Sequence, residues 1–405
     1  MKHLCFLLCS VILLNAGPLE YIGRFVHPVQ ESIKAGREAR IRSEAELTRQ
    51  IRESYPPKES FSLRATSEGI VLPDSPETCK PYFHFPPANQ GLTSACWAYA
   101  GISFMESELY RQQKKTIKLS VMAIVYQEYL EKARYHIQTR GMSDFTEGSQ
   151  IASVFHIAEQ YGLLPEDVYP GNPGAQGHDH ELLHRELESC LAFLKAQNIW
   201  DENTAETAVR AILDRHLGPL PEQFSYKGRK YTPQSFFRNV IQFDSRQYVD
   251  IQSTLRFPFD SYAEFPYPDN WKRSAHYYNI PLERFYQAIT DAVKTGFSVP
   301  IGGDTTEPGY LPFEDIAFIP DADIPPAQID QYAREYRMAN RSTGDDHALH
   351  IVGFTQIGGV DWFLIKDSWH NAYAGKHPGY FFCRGDYIKL KMLGAVVPAK
   401  FVKTE

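Results

Sequence analysis

The stretch Asn89-Gln-Gly-Leu-Thr-Ser-Ala-Cys-Trp-Ala-Tyr99 decides the reading of this chain. From Ser94 the sequence continues as SACWAYAGISFMESELYRQQKK, apolar on most faces and then charged. This predicts a helix that starts buried and finishes at the surface. Cys96 falls in its first turn. Cysteine attacks as a thiolate, and the dipole and free amides of a first helical turn favour that form. A lone buried cysteine is more often inert packing, so the reading depends on what the rest of the chain supplies.

It supplies three partners. A cysteine nucleophile needs a histidine that holds the ion pair and later protonates the leaving amine, and a third group that orients the ring. His347 opens an expected strand in GDDHALHIVGF, and Asp367 ends the next one in FLIKDSW, with Gly358-Gly359 turning the hairpin. Adjacent antiparallel strands bring such positions side by side. The side-chain amide of Gln90, with the backbone N–H of Cys96, provides an oxyanion hole. Trp369 is placed to shield the His–Asp contact. His350 lies three residues beyond His347, on the other face by strand alternation, and reads as structural.

The remaining chain sets the frame. Its 405 residues are 43% hydrophobic and 22% charged, an ordinary globular composition. A formal charge of −7, with no basic stripe, excludes a nucleic-acid partner. Lys2 and His3 precede an apolar run from Leu4 to Leu14, then Ala16, Gly17 and Pro18, which reads as a signal peptide over 1–17 and implies a periplasmic or extracellular protein. The run is too short to span a bilayer. Its removal discards Cys5 and Cys9 and leaves Cys79, Cys96, Cys190 and Cys383, too few for a disulfide framework. Residues 18–78 form an N-terminal extension or propeptide, with a solvated charged helix over 28–56.

Helices are expected near 120–136 and 149–161, the second ended by Gly162. Residues 178–295 alternate helical patterns with Tyr- and Pro-rich stretches and read as a large helical insertion. The last third runs through FSVPIGGDT, HALHIVGFTQ, DWFLIKDS, GYFFC and LGAVVPA, an antiparallel sheet. A helical half followed by a sheet half makes an α+β protein with a cleft between the halves.

The blocks NQGLTSACWAY, DDHALHIVGF and LIKDSW resemble the Cys, His and Asn blocks of the papain superfamily, in that order. Asn89, Gln90, Thr93, Cys96 and Trp97, with no disulfide cysteine in the insert, are closer to the bleomycin hydrolase and aminopeptidase C branch. YGLLPEDVYP, LGPLPEQFSYKGRKYTP and the strand ending at Asp304 resemble stretches of that branch. The resemblance spans about Cys79 to Lys400 and implies a papain-like peptidase domain over 79–400. It further implies a peptide or protein substrate, no cofactor or metal, a homo-oligomer (a hexamer), and substrate binding by Glu147, Gly148 and Trp369. Two departures stand out. Asp367 replaces the family's usual Asn and adds a charge that favours a protonated His347. In the named branch a longer C-terminal arm lies in the cleft and restricts cleavage to the amino end. This chain stops a few residues after its last expected strand, so endopeptidase action is expected in place of strict aminopeptidase action.

Two other readings compete. The Asn-to-Asp change would suit a catalytically impaired binding protein on the same fold, although aspartate is the ordinary third member of other triads. His180-Glu181-Leu182-Leu183-His184 is a literal H-E-x-x-H, which on a helix places two histidines on one face for zinc, with Glu202 and Glu206 as conceivable third ligands. So short a pattern arises by chance, and zinc metallopeptidase is the weaker reading.

Overall fold

The computed structural model describes residues 28–54, 63–172 and 177–402. The expected signal peptide lies outside them. The chain divides into two compact units at Ser62/Leu63. In the first, helix α1 (Pro28–Ser54) is exposed along the residues described and carries its own ion pairs, Arg49 with Glu46 at 2.6 Å and with Glu53 at 2.7 Å. A helix with no apolar stripe has nothing to bury, as its sequence predicted.

In the second unit the helical half comes first: α2 (Cys96–Gln113), α3 (Val121–Gln138), α4 (Ile151–Tyr161), α5 (Glu181–Ala196) and α6 (Glu202–Leu217). Local chemistry sets their ends. Ser120 and Asp201 cap α3 and α6 by accepting from Ala123 N–H at 3.1 Å and Thr204 N–H at 2.8 Å. α2 stops where Lys114 turns left-handed at φ 57°. α4 stops at Gly162, whose φ of +83° and close approach to the Pro233 carbonyl leave no room for a Cβ. Phe104, Tyr126, Val154, Leu183 and Leu213 join these helices in one core.

A hairpin, β1 (Phe224–Tyr226) and β2 (Arg229–Tyr231), leads to β3 (Tyr248–Gln252), β4 (Ser261–Ala263), β5 (Tyr277–Asn279) and α7 (Leu282–Lys294). Then come β6 (Val299–Gly303), β7 (Tyr310–Leu311), β8 (Ile316–Ala317), α8 (Gln331–Ala339), β9 (His347–Ile357), β10 (Val360–Lys366), β11 (Tyr380–Arg384), α9 (Gly385–Lys391) and β12 (Met392–Pro398). Ten strands form one sheet in the order β4-β5-β3-β12-β6-β9-β10-β11-β8-β7. Phe285 and Ile289 of α7 pack with Ile301, Ile351 and Phe363 of the sheet in a second core.

Two expectations change. Residues 178–295 are not a helical insertion throughout: between α6 and α7 they carry β1–β5, of which β3 is an inner strand paired with β12, and α7 packs in the sheet's core. The Tyr- and Pro-rich composition of 248–279 hid strands too short to show alternation. The sheet is also mixed: β11 with β8 and β3 with β5 run parallel.

The site follows from how the halves meet. α2 packs on β9 and β6, which sets the nucleophile's helix beside the first residue of β9. Gly358 and Gly359 turn the β9–β10 hairpin at φ 58° and 83°, and its register pairs Ile357 with Val360 and His350 with Lys366. Gly162→Ala is expected to destabilise the fold by roughly 1–3 kcal/mol, the cost of forcing a side chain into that backbone region; chemical denaturation measures it.

Candidate active site

Cys96 is the first residue of α2, partly exposed, while Cys79 and Cys383 are buried. All four described cysteines are free thiols. Burial pushes the Cys79 thiol up to about 12 and those of Cys190 and Cys383 upward as well, which keeps these three inert.

Cys96 and the ring of His347 line the same cavity and interact electrostatically. On the far side, His347 Nε2 lies 2.7 Å from Asp367 Oδ1, leaving Nδ1 for the thiol. Burial opposes a charge on this ring, yet the Asp367 carboxylate and the Cys96 thiolate outweigh it and hold the His347 pKa well above its ordinary value. The buried ring thus sits between a carboxyl and a thiol group that both favour its protonated form. Asp367 stands one residue past the end of β10, where its N–H donates to Gly379 O at 2.9 Å. The contact with His347 is therefore diagonal, not between ladder partners. Its Oδ1 also accepts from Trp369 N–H at 2.8 Å and its Oδ2 from the Tyr310 hydroxyl at 3.1 Å. The Trp369 ring sits edge-on to His347 with centroids 6.4 Å apart.

Gln90 is buried beside the nucleophile's loop. Its Nε2 donates to Thr93 O at 2.6 Å, its Oε1 accepts from Ser368 Oγ at 2.7 Å, and its N–H donates to Ser368 O at 2.8 Å. A primary amide has two N–H donors, and Thr93 takes one. The oxyanion loop is thereby tied to the residue after Asp367.

His350 is buried with Nδ1 at 2.8 Å from Ser103 Oγ of α2, and burial with the nearby Lys366 charge holds it neutral, so it stays structural. Glu147, expected to bind substrate, has both carboxylate oxygens engaged by the chain itself: its Oε2 accepts from Ser94 N–H at 2.7 Å, and its Oε1 is paired with His180. Gly148 is where the chain passes Asp269, whose carboxylate oxygens lie 2.5 Å from the position of an added Cβ.

The H-E-x-x-H histidines go separate ways. His180 precedes α5 and pairs with Glu147, whereas His184 faces Glu188 at 3.4 Å and stacks on Phe145. Glu206 is taken by Arg134 and Arg210, and Glu202 accepts from Gln138. Among the described residues no group of three His, Cys, Asp or Glu is arranged to hold a metal ion. The zinc reading loses its ligand set.

Cys96 and His347 share one cavity with Ser149, Gln150, Gly302 and Ala348, and with four aspartates, Asp250, Asp269, Asp345 and Asp346. Burial pushes Asp250 up to about 7; burial and then the Asp269 charge push Asp345 up to about 7. Tyr310, Asp250 and Asp269 carried no signal in the sequence, because each reaches the site through tertiary packing, whereas Asp345, Asp346 and Ser368 stand within two residues of His347 or Asp367 in the chain.

A cysteine at a helix N-terminus beside a histidine at a sheet hairpin, in a cleft between two cores, is the arrangement of a papain-like cysteine peptidase. The Peptidase C1-like family profile matches residues 83–405, and the chain belongs to that family. It is 22% identical over 364 residues to aminopeptidase C of Lactobacillus delbrueckii subsp. lactis, covering 78% of this chain and 79% of that one. It is 23% identical over 268 residues to aminopeptidase C of Streptococcus thermophilus, covering 54% and 58%. The crystal structure of PepW from Lactobacillus rhamnosis superposes with a TM-score of 0.61 at 16% identity, covering 94% of each chain.

Asp367→Asn keeps an acceptor for His347 but removes the charge that helps hold its proton. The imidazolium persists below the raised pKa and is lost as pH rises through it, so lowering that pKa is expected to move the alkaline limb of kcat/KM to lower pH. A pH profile of both forms checks this; an unmoved limb would show that Asp367 does not sustain the ion pair.

Proposed function

We propose that this protein hydrolyses peptide bonds through an acyl-enzyme on Cys96, a reading carried by the continuous Asp367–His347–Cys96 line of contacts. The thiolate attacks the scissile carbonyl carbon, and the resulting oxyanion is met by the Cys96 N–H and the second N–H of Gln90. His347 gives its proton to the leaving nitrogen as the tetrahedral intermediate collapses to a thioester. It then takes a proton from water, the hydroxide attacks the thioester, and the carboxylic acid leaves as the thiolate re-forms its pair. Asp367 orients the ring throughout and remains ionised. The ordinary role of aspartate in other triads supports an active enzyme over an impaired binding protein.

The cavity beside the nucleophile supports a substrate class. Carboxylates held in a partly desolvated cleft are costly without a counter-charge. Asp269 feels Lys132, but no cation is among the causes that shift Asp250, Asp345 or Asp346. A peptide that brings a cation close to its scissile bond offsets that cost. Its source is either the free α-ammonium of an amino terminus, in keeping with the names of the relatives, or a lysyl or arginyl side chain within a longer peptide, in keeping with endopeptidase action. Export through residues 1–17 belongs to the same proposal, and N-terminal sequencing of the mature protein checks it.

Two measurements test these points. Cys96→Ala is expected to abolish cleavage of peptides followed by mass spectrometry, and a thiol-directed epoxide to block the wild type while a zinc chelator does not. Continued cleavage by Cys96→Ala would sink the cysteine mechanism; the fragments distinguish stepwise amino-terminal trimming from internal cuts. Among matched fluorogenic dipeptidyl amides, the free or lysyl forms are expected to exceed the acetylated norleucyl form in kcat/KM by about tenfold or more. With Asp250 and Asp345 pushed up to about 7, that ratio is largest above this pH and fades below it as the carboxyls protonate. Equal rates at all pH values would remove the cation preference.

A further inference from the structure

Glu147 and the segment running into α5 take no part in the chemistry described above, yet both grip the loop that carries it. Leu92 forms an isolated parallel bridge with Asp179: its N–H donates to His178 O at 2.8 Å, and its O accepts from His180 N–H at 3.0 Å. Gly91 is what permits this approach, since its φ is +67° and an added Cβ would lie 2.1 Å from His178 O. Two residues on, Ser94 N–H donates to Glu147 Oε2 at 2.7 Å, and the other oxygen of that carboxylate is held by His180 Nδ1. The Glu147 carbonyl accepts from Trp97 Nε1 at 3.3 Å, so a single residue touches the chain on both sides of Cys96. His180 is 2% exposed.

We infer that Glu147 and His180 are positioning residues of the peptidase reaction: a hydrogen-bonded clamp that, with the 178–180 strap, holds the oxyanion loop 90–96 in place. The argument is geometric. The loop has few anchors of its own. Gln90 and Thr93 bond each other, and Ser368 holds only the Gln90 end. The cysteines described are all free, so no disulfide ties its Ser94 end. That end leads directly into Cys96, and an oxyanion donor such as its N–H acts only when held at hydrogen-bond distance from the developing charge. A displacement of about 1 Å in such a group costs on the order of 100-fold in rate. The clamp also accounts for His180 without a metal: the first histidine of the H-E-x-x-H pattern is the counter-group of Glu147, and the pattern itself is coincidental.

This inference rests on the peptidase reading of Cys96, and its test separates the two. Glu147→Ala and His180→Ala are each expected to lower kcat for peptide hydrolysis by roughly 30- to 100-fold. Alkylation of Cys96 by iodoacetamide, which develops no oxyanion, should stay within about threefold, since the Cys96–His347 pair is left in place. The double variant should be no worse than the poorer single one, because either change opens the same clamp. Glu147→Gln, which keeps an acceptor for Ser94 N–H, should recover part of the loss. Amide exchange at residues 91–97 should speed up in Glu147→Ala, a readout that needs no activity. A wild type inert towards peptides would sink the peptidase reading and leave exchange to judge the clamp. Unchanged kcat together with unchanged exchange would overturn the clamp. So would hydrolysis and alkylation falling in parallel, or loss of the fold in every variant, either of which would make the pair a support for the fold alone.

Discussion

The burial of the His347 ring between Asp367 and Cys96 is the constraint on which the site depends. A charged ring taken out of water is stable only where other charges and hydrogen bonds replace the solvent. His347 obtains both, from Asp367 on one nitrogen and Cys96 on the other. Asp367 needs the same care, and Trp369 N–H and the Tyr310 hydroxyl provide it. Each partner comes from a different element: the start of α2, the start of β9 and the turn after β10. The fold has to keep three chain segments in register, and the packing of α2 on the β9–β6 surface does so by joining the two hydrophobic halves along one seam.

The loops around that line are braced by contacts from distant parts of the chain. Ser368 ties Gln90 to the Asp367 turn by side chain and backbone. Lys132, buried beneath, donates to the carbonyls of Thr146 and Gly148 and so fixes the loop from which Glu147 reaches Ser94. Such contacts supply no chemistry. They hold donors still, and preorganised donors stabilise charge as it develops instead of reorganising to meet it. The acid-lined cavity is a different kind of feature: it adds nothing to the order of the nucleophile and bears only on what enters beside it.

The chain's own sequence determined where the candidate site residues lie. Cys96 at a helix start, Gln90 six residues before it, and His347 and Asp367 on the two sides of a Gly-Gly hairpin are local patterns whose spacing survives folding unchanged. Strand alternation and helix ends read directly from such patterns. The solvated helix α1 and the end of α4 at Gly162 were legible for the same reason.

Tertiary structure decided what joins those patterns. Strands of three to five residues at 248–279 have too few positions to show alternation, so their place in the sheet emerged only from pairing, β3 with β12 and β5 with β3 and β4. Tyr310 reaches Asp367 across 57 residues, and Glu147 reaches Ser94 across 53. No periodicity encodes contacts between distant segments, because they depend on how separate elements pack. That is why Glu147 looked like a substrate contact and His180 like a metal ligand, and why the folded chain makes them partners of each other.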